Sequence, residues 1–146
     1  MTKLDHALDL AKRGFWVFPI VANKKAPPAV KNWQEAAMRD PAVIMSWWNN
    51  NPNDNIGIFT GKFGESEALV VIDVDNKGDK HGDLELLRLE LEREWDLPQT
   101  ATQTTPSNGQ HIIYRVQSPL SQGVNVLGNG LDIRSRGGYI VGGGST

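Results

Sequence analysis

Two rhythms of apolar and polar positions alternate along the chain. The first is helical. Thr2 stands as an N-cap with Asp5 three residues on, and Leu4, Ala7, Leu8 and Ala11 share one face before Gly14 ends the segment. A strand over 15–21 follows, confined by Pro19 to an edge or an end of a sheet. A stiff loop rich in Lys and Pro leads to a short helix near Trp33, then to a helix with Asp40 as N-cap and Pro41 in its first turn. Strand-like stretches at 55–61 and 68–75 come next. Residues 83–96 read as a helix capped by Asp83, with Leu84, Leu87, Leu91 and Trp95 along its apolar face. The segments 99–105 and 111–116 flank an Asn108-Gly109 turn and should form a hairpin. A loop rich in Gly, Asn and Ser spans 117–130, and two short strands around Gly137-Gly138 close the series. One long helix followed by a run of strands predicts an α+β fold, a mixed, largely antiparallel sheet with an N-terminal αβ unit.

Composition narrows the field. The 146 residues suffice for one domain, 1–146, with a core of its own. The final strand runs into a glycine turn at the last residues, which reads as a domain truncated at its C-terminus. There is no Cys, so disulfides and Cys-based zinc sites are excluded and no zinc is expected. No apolar run is long enough to span a bilayer and no signal peptide opens the chain, so a cytoplasmic address with no membrane partner is the default expectation. A net charge of −2 gives no global basic field, so any nucleic-acid contact must come from local patches.

The chemistry gathers at the end of the apolar run 68–75. Strand alternation points Val71, Asp73 and Asp75 one way and Val70, Ile72 and Val74 the other. Two carboxylates on one pleat repel unless a cation or a basic group sits between them. One reading is a solvated turn. An EF-hand calcium loop fails, because Lys77 and Leu84 stand at ligand positions. A Mg²⁺ or Mn²⁺ pair bridged by strand carboxylates needs a third acid, and Asp132 offers one: Leu131 and Ile133 should face the core while Asp132 and Arg134 face the opposite side. A surface ion pair of Asp132 with Arg134 is the alternative.

Around this acidic pair lie groups suited to phosphate. His111 begins a strand after a tight turn, beside Ser107, Asn108 and the amides of the Gly109 turn, all able to donate to phosphate oxygens. Arg134 and Arg136 supply positive charge, Gly137 and Gly138 allow close backbone approach, and Lys24, Lys25 and Lys31 form a basic cluster near Trp33.

In their order and separations, Asp73-x-Asp75, the turn from Ser107 to His111, and Leu131-Asp132-x-Arg134 followed by Gly137-Gly138-Tyr139 resemble the bifunctional primase–polymerase (Prim-Pol) domain of the archaeo-eukaryotic primase superfamily. The resemblance extends over nearly the whole chain, and it implies an RRM-like catalytic sheet. It further implies template-directed nucleotidyl transfer on phages, prophages or plasmids, making and extending primers from dNTPs or NTPs on a single-stranded DNA template, with a helicase fused or separate. By the same resemblance Asp73, Asp75 and Asp132 are the acids that hold two divalent cations, Mg²⁺ or Mn²⁺. His111 contacts the nucleotide phosphates, with Ser107, Arg134, Arg136, Gly138 and Lys25 as further nucleotide-binding candidates. Many members carry Ser two residues before the His, where this chain has Gly109. A metal-dependent nuclease and a non-catalytic nucleotide- or DNA-binding replication-initiation module are the alternative functions.

Overall fold

The computed structural model describes residues 1–146 except Asp96 and Ser107. Helix α1 (Lys3–Lys12) is closed at its start by a reciprocal capping box. The Asp5 amide donates to Thr2 Oγ1 at 3.1 Å, and the Thr2 amide donates to Asp5 Oδ2 at 2.8 Å. Strand β1 (Phe15–Ile20) and the short α2 (Trp33–Ala36) precede α3 (Pro41–Asn50), where Asp40 accepts from the Ala42 amide at 2.9 Å. Strands β2 (Asn55–Phe63) and β3 (Ala68–Val74) lead to α4 (Gly82–Glu92). Strands β4 (Ala101–Thr104), β5 (Gln110–Val116), β6 (Gly123–Gly128), β7 (Leu131–Arg134) and β8 (Tyr139–Val141) complete the chain.

The strands build two antiparallel sheets, one ordered β1-β2-β8 and the other β4-β5-β3-β7-β6. This is the α+β, largely antiparallel architecture expected. Pro19 sits on β1, an edge strand, where its missing N–H costs no ladder bond. Helices α1 and α3 cover the three-stranded sheet through Ala7, Ala11, Ile44 and Trp48 against Val17 and Ile56. Helix α4 covers the outer face of the larger sheet, with Leu86 and Leu89 packed on Val70, Ile72, Val74, Leu131 and Ile133. Between the sheets, Leu69, Val71 and Ile113 meet Ile58, Phe63 and Ile140. The alternation along β3 therefore gives each of its faces to a different layer, and Asp73 continues the face that lies between the sheets.

Four expectations are corrected. The segment read as a loop over 117–130 contains β6, which pairs with β7 despite its Gly and Asn content. The two last strands do not pair around Gly137-Gly138: β7 belongs to the larger sheet and β8 to the smaller, so the glycines carry the chain from one to the other. Helix α4 turns a different face inward from the one expected. Leu84, Leu87 and Leu91 are 61%, 52% and 72% exposed, because leucines also recur at 86 and 89 and the sheet selects that pair. The helix also begins earlier and ends sooner than 83–96, with His81 rather than Asp83 at the N-cap. At its first residue, Gly82, a Cβ would run into the Gly130 carbonyl, so backbone packs directly on backbone there. The expected end at Asp96 lies outside the described residues.

Candidate active site

The site is built from register. Strand β3 lies in the middle of its sheet, and Asp73 is directly opposite His111 on β5 and directly opposite Asp132 on β7. His111 is in turn opposite Gln103 on β4. Residues paired across antiparallel strands project from the same face, so Gln103, His111, Asp73 and Asp132 form one row across four strands. Leu131 and Ile133 are in the core beneath α4, which leaves Asp132 and Arg134 on the other face as alternation required.

Within the row, His111 Nε2 lies 3.5 Å from Asp73 Oδ1. Arg134 reaches back to both acids, with Nε 3.9 Å from Asp73 Oδ2 and Nη2 3.4 Å from Asp132 Oδ2. The other oxygen of Asp132 accepts from the Asn125 amide at 2.8 Å, a bond supplied by the unforeseen strand β6. Asp75 lies just past the end of β3. Its Oδ1 accepts from the Lys77 amide at 2.9 Å and its Oδ2 is 3.5 Å from Lys80 Nζ. Among the described residues no group of three or more His, Asp and Glu side chains stands together as a ready-made metal cage. The acids instead share one surface, with Arg134 between two of them.

Burial sets the electrostatics. Loss of water pushes the Asp73 carboxyl above its ordinary value, and the charges of Asp132 and Asp75 push the same way against His111 and Arg134. Burial likewise depresses the His111 imidazole, helped by Lys25 and Arg134 and opposed by Asp73. His111 and Asp132 are both buried, at 8% exposure each.

The row opens into a cleft of about 1020 Å³. Lys25, Asp73, Asp75, His111, Arg134 and Gly138, all singled out from sequence, line it. Asp132 lies beside it, joined to Arg134 and Asn125. Arg136 is not part of the lining: its guanidinium donates to the Pro119 carbonyl at 3.3 Å, and its backbone amide bonds Leu120. Ser107 lies outside the described residues.

The surrounding chain explains why these positions hold. In the β4–β5 turn the Gly109 amide donates to Thr105 Oγ1 at 3.0 Å, and a Cβ at Gly109 would strike the carbonyl of Val74, next to Asp73. Glycine at this position lets the turn rest on the end of β3 and fixes where His111 starts. The crossing from β7 to β8 is pinned by buried hydroxyls. Thr60 Oγ1 donates to the Ser135 carbonyl at 2.5 Å with the Gly138 carbonyl 2.9 Å away, and Ser135 Oγ donates to the Leu69 carbonyl at 2.7 Å. Sequence reasoning passed over Gln103 and these hydroxyls. For Gln103 a signal existed, since the hairpin register places it opposite His111.

The arrangement offers hard oxygen ligands, a neutral imidazole and cationic side chains at one concave surface, a combination suited to handling phosphates with divalent ions. No curated protein matches the chain significantly. The family model described as bifunctional DNA primase/polymerase, N-terminal, matches residues 7–146, a span that contains both sheets and every residue of the row, and the chain belongs to this Prim-Pol family.

Proposed function

We propose that this domain of the primase/polymerase family catalyses template-directed nucleotidyl transfer in DNA replication, synthesising and extending primers. The observation that carries the reading is the placement of Asp73 directly between His111 and Asp132 at a cleft that also receives Lys25 and Arg134. In the reaction a primer 3′-hydroxyl attacks the α-phosphorus of a bound nucleoside triphosphate, a new P–O bond forms, and pyrophosphate leaves.

The residues fit divalent cations. Asp73 is a partly buried carboxylate whose proton affinity desolvation raises, and the neighbouring donors are carboxylate oxygens of the kind Mg²⁺ and Mn²⁺ prefer. Asp73, Asp75 and Asp132 would hold them. Bound there, such ions would supply a lowered pKa for the attacking hydroxyl and charge neutralisation at the leaving pyrophosphate. The protein's own groups do the rest. His111 donates from Nε2 to a phosphate oxygen, Arg134 and Lys25 attract the triphosphate, and the backbone at Gly138 allows it close. The resemblance supports a setting in phage-, prophage- or plasmid-borne replication beside a helicase.

The test is primer synthesis and extension on single-stranded DNA with Mn²⁺ or Mg²⁺, comparing wild type with Asp73→Ala. Loss of dNTP-dependent product in a folded variant supports the proposal. Wild-type-like synthesis by the variant, or metal-dependent loss of DNA ends without any dNTP, rejects it, the second outcome in favour of a nuclease. Tight dNTP binding with no synthesis by the wild type favours a non-catalytic module.

A further inference from the structure

The geometry points to Gln103 as a positioning residue that fixes the tautomer of His111, so that the ring presents an N–H and not a lone pair to the cleft. The inference rests on the reading of His111 as the phosphate contact.

Two contacts of one atom decide the matter. Gln103 Nε2 lies 2.8 Å from the Val141 carbonyl oxygen and 2.7 Å from His111 Nδ1. A carbonyl oxygen only accepts, so the amide nitrogen of Gln103, not its oxygen, must stand at this place. A primary amide nitrogen has two hydrogens and only donates. Its second hydrogen therefore goes to Nδ1, which must accept with its lone pair. A neutral imidazole carries one N–H, and with Nδ1 bare that hydrogen is on Nε2. Nε2 is the nitrogen that faces Asp73 Oδ1 at 3.5 Å in the wall of the cleft. Rotating the amide by a half turn would set its oxygen against the Val141 carbonyl and lose that bond, so β8 holds Gln103 in the orientation that presents an N–H to His111 Nδ1.

The consequence concerns phosphate. An Nε2–H donates to an anionic oxygen, whereas the other tautomer would aim a lone pair at it and repel. Gln103 thus acts on a nucleotide it does not touch, by choosing which side of the imidazole carries the hydrogen.

The experiment uses the full chain, with the imidazole nitrogens of His111 observed by NMR at alkaline pH, where the ring is neutral. Calorimetric binding of dGTP with Mg²⁺ and no template is measured alongside. The wild type should show a bare Nδ1 and a protonated Nε2. Gln103→Leu should give a mixture of tautomers and bind dGTP roughly tenfold more weakly, the scale of one lost charge-assisted hydrogen bond. Gln103→Glu keeps the size of the side chain but accepts from Nδ1–H, so it should reverse the tautomer and weaken binding at least as much. Thermal unfolding of both variants controls for folding, and Gln103→Glu serves if Gln103→Leu fails that control. A protonated Nδ1 in the wild type overturns the proposal. So does unchanged affinity in the folded Gln103 variants while His111→Ala loses binding. If His111→Ala binds dGTP as tightly as wild type, the parent reading falls instead, whatever the tautomer.

Discussion

Asp73 and His111 face one another across adjacent antiparallel strands, carboxylate oxygen to imidazole nitrogen at 3.5 Å, and burial moves their proton affinities in opposite directions. Each is pushed towards its neutral form.

The first prediction concerns pH. His111 has a folded-state pKa below its ordinary 6.5. Below 6.5 the unfolded chain takes up a proton that the folded chain refuses, so more protons are bound in the unfolded state and stability falls as pH falls through that window. Metal-free His111→Gln should show a shallower loss of stability on acidification from that value than wild type. Chemical denaturation at a series of pH values measures it, and identical slopes would remove the assignment.

Asp73 gives the opposite sign. Its pKa is raised above the ordinary 3.8, so the folded state holds its proton longer and stability declines as pH rises from 3.8 through the folded value. Asp73→Asn removes this loss. At neutral pH the metal-free variant should melt at or above the wild-type temperature while primer synthesis is abolished. A calorimetric scan paired with an extension assay tests both halves.

Arg134 and Arg136 are separated by one residue and should behave differently. Arg134→Ala removes the guanidinium that bridges Asp73 and Asp132 in the cleft and should weaken nucleoside triphosphate binding about tenfold or more, with Arg134→Lys recovering only part. Arg136→Ala, whose side chain is turned to Pro119, should leave affinity unchanged. Calorimetry on the three variants decides.

At Gly109 the family's common Ser should be harmful here. Gly109→Ser places a Cβ against the Val74 carbonyl, forcing the turn off the end of β3. A cost of roughly 1–3 kcal/mol is expected, a fall of about 2–4 °C in Tm for each kcal/mol. Extension activity should fall with it, because His111 shifts. Unaltered Tm and activity would count against the role given to the turn.

The exposed leucines of α4 supply a contrast that needs no ligand. Leu86→Ala should cost about 2–5 kcal/mol because it empties a core position, while Leu87→Ala should stay within about 0.5 kcal/mol. Urea unfolding of the two variants separates them.

Much of this was legible in the chain. Alternation along 68–75 located β3 and gave its two faces, the Asn108-Gly109 pair located the hairpin, and Thr2, Asp40 and Pro41 marked helix starts that the structure keeps. Asp132 was assigned the correct face because its apolar neighbours were unambiguous. What escaped was whatever depended on partners distant in sequence. Strand β6 is held by pairing with β7, against its own composition. Helix α4 carries leucines on more than one side, and only the sheet beneath selects Leu86 and Leu89. Gln103 reads as an ordinary strand polar residue until the register sets it against His111 and β8 comes up behind it.

The crossing pinned by Thr60 and Ser135 bears on how the domain is loaded. Arg134 stands just before that crossing and Gly138 at its far end, and buried hydroxyls fasten it to β2 and β3 alike. Two residues of the cleft lining, Arg134 and Gly138, are thus held by one short piece of chain fastened to both sheets. On the proposed function, a triphosphate reaching both residues would meet a wall already in place, and the entropy lost on docking would fall mainly on the incoming molecule.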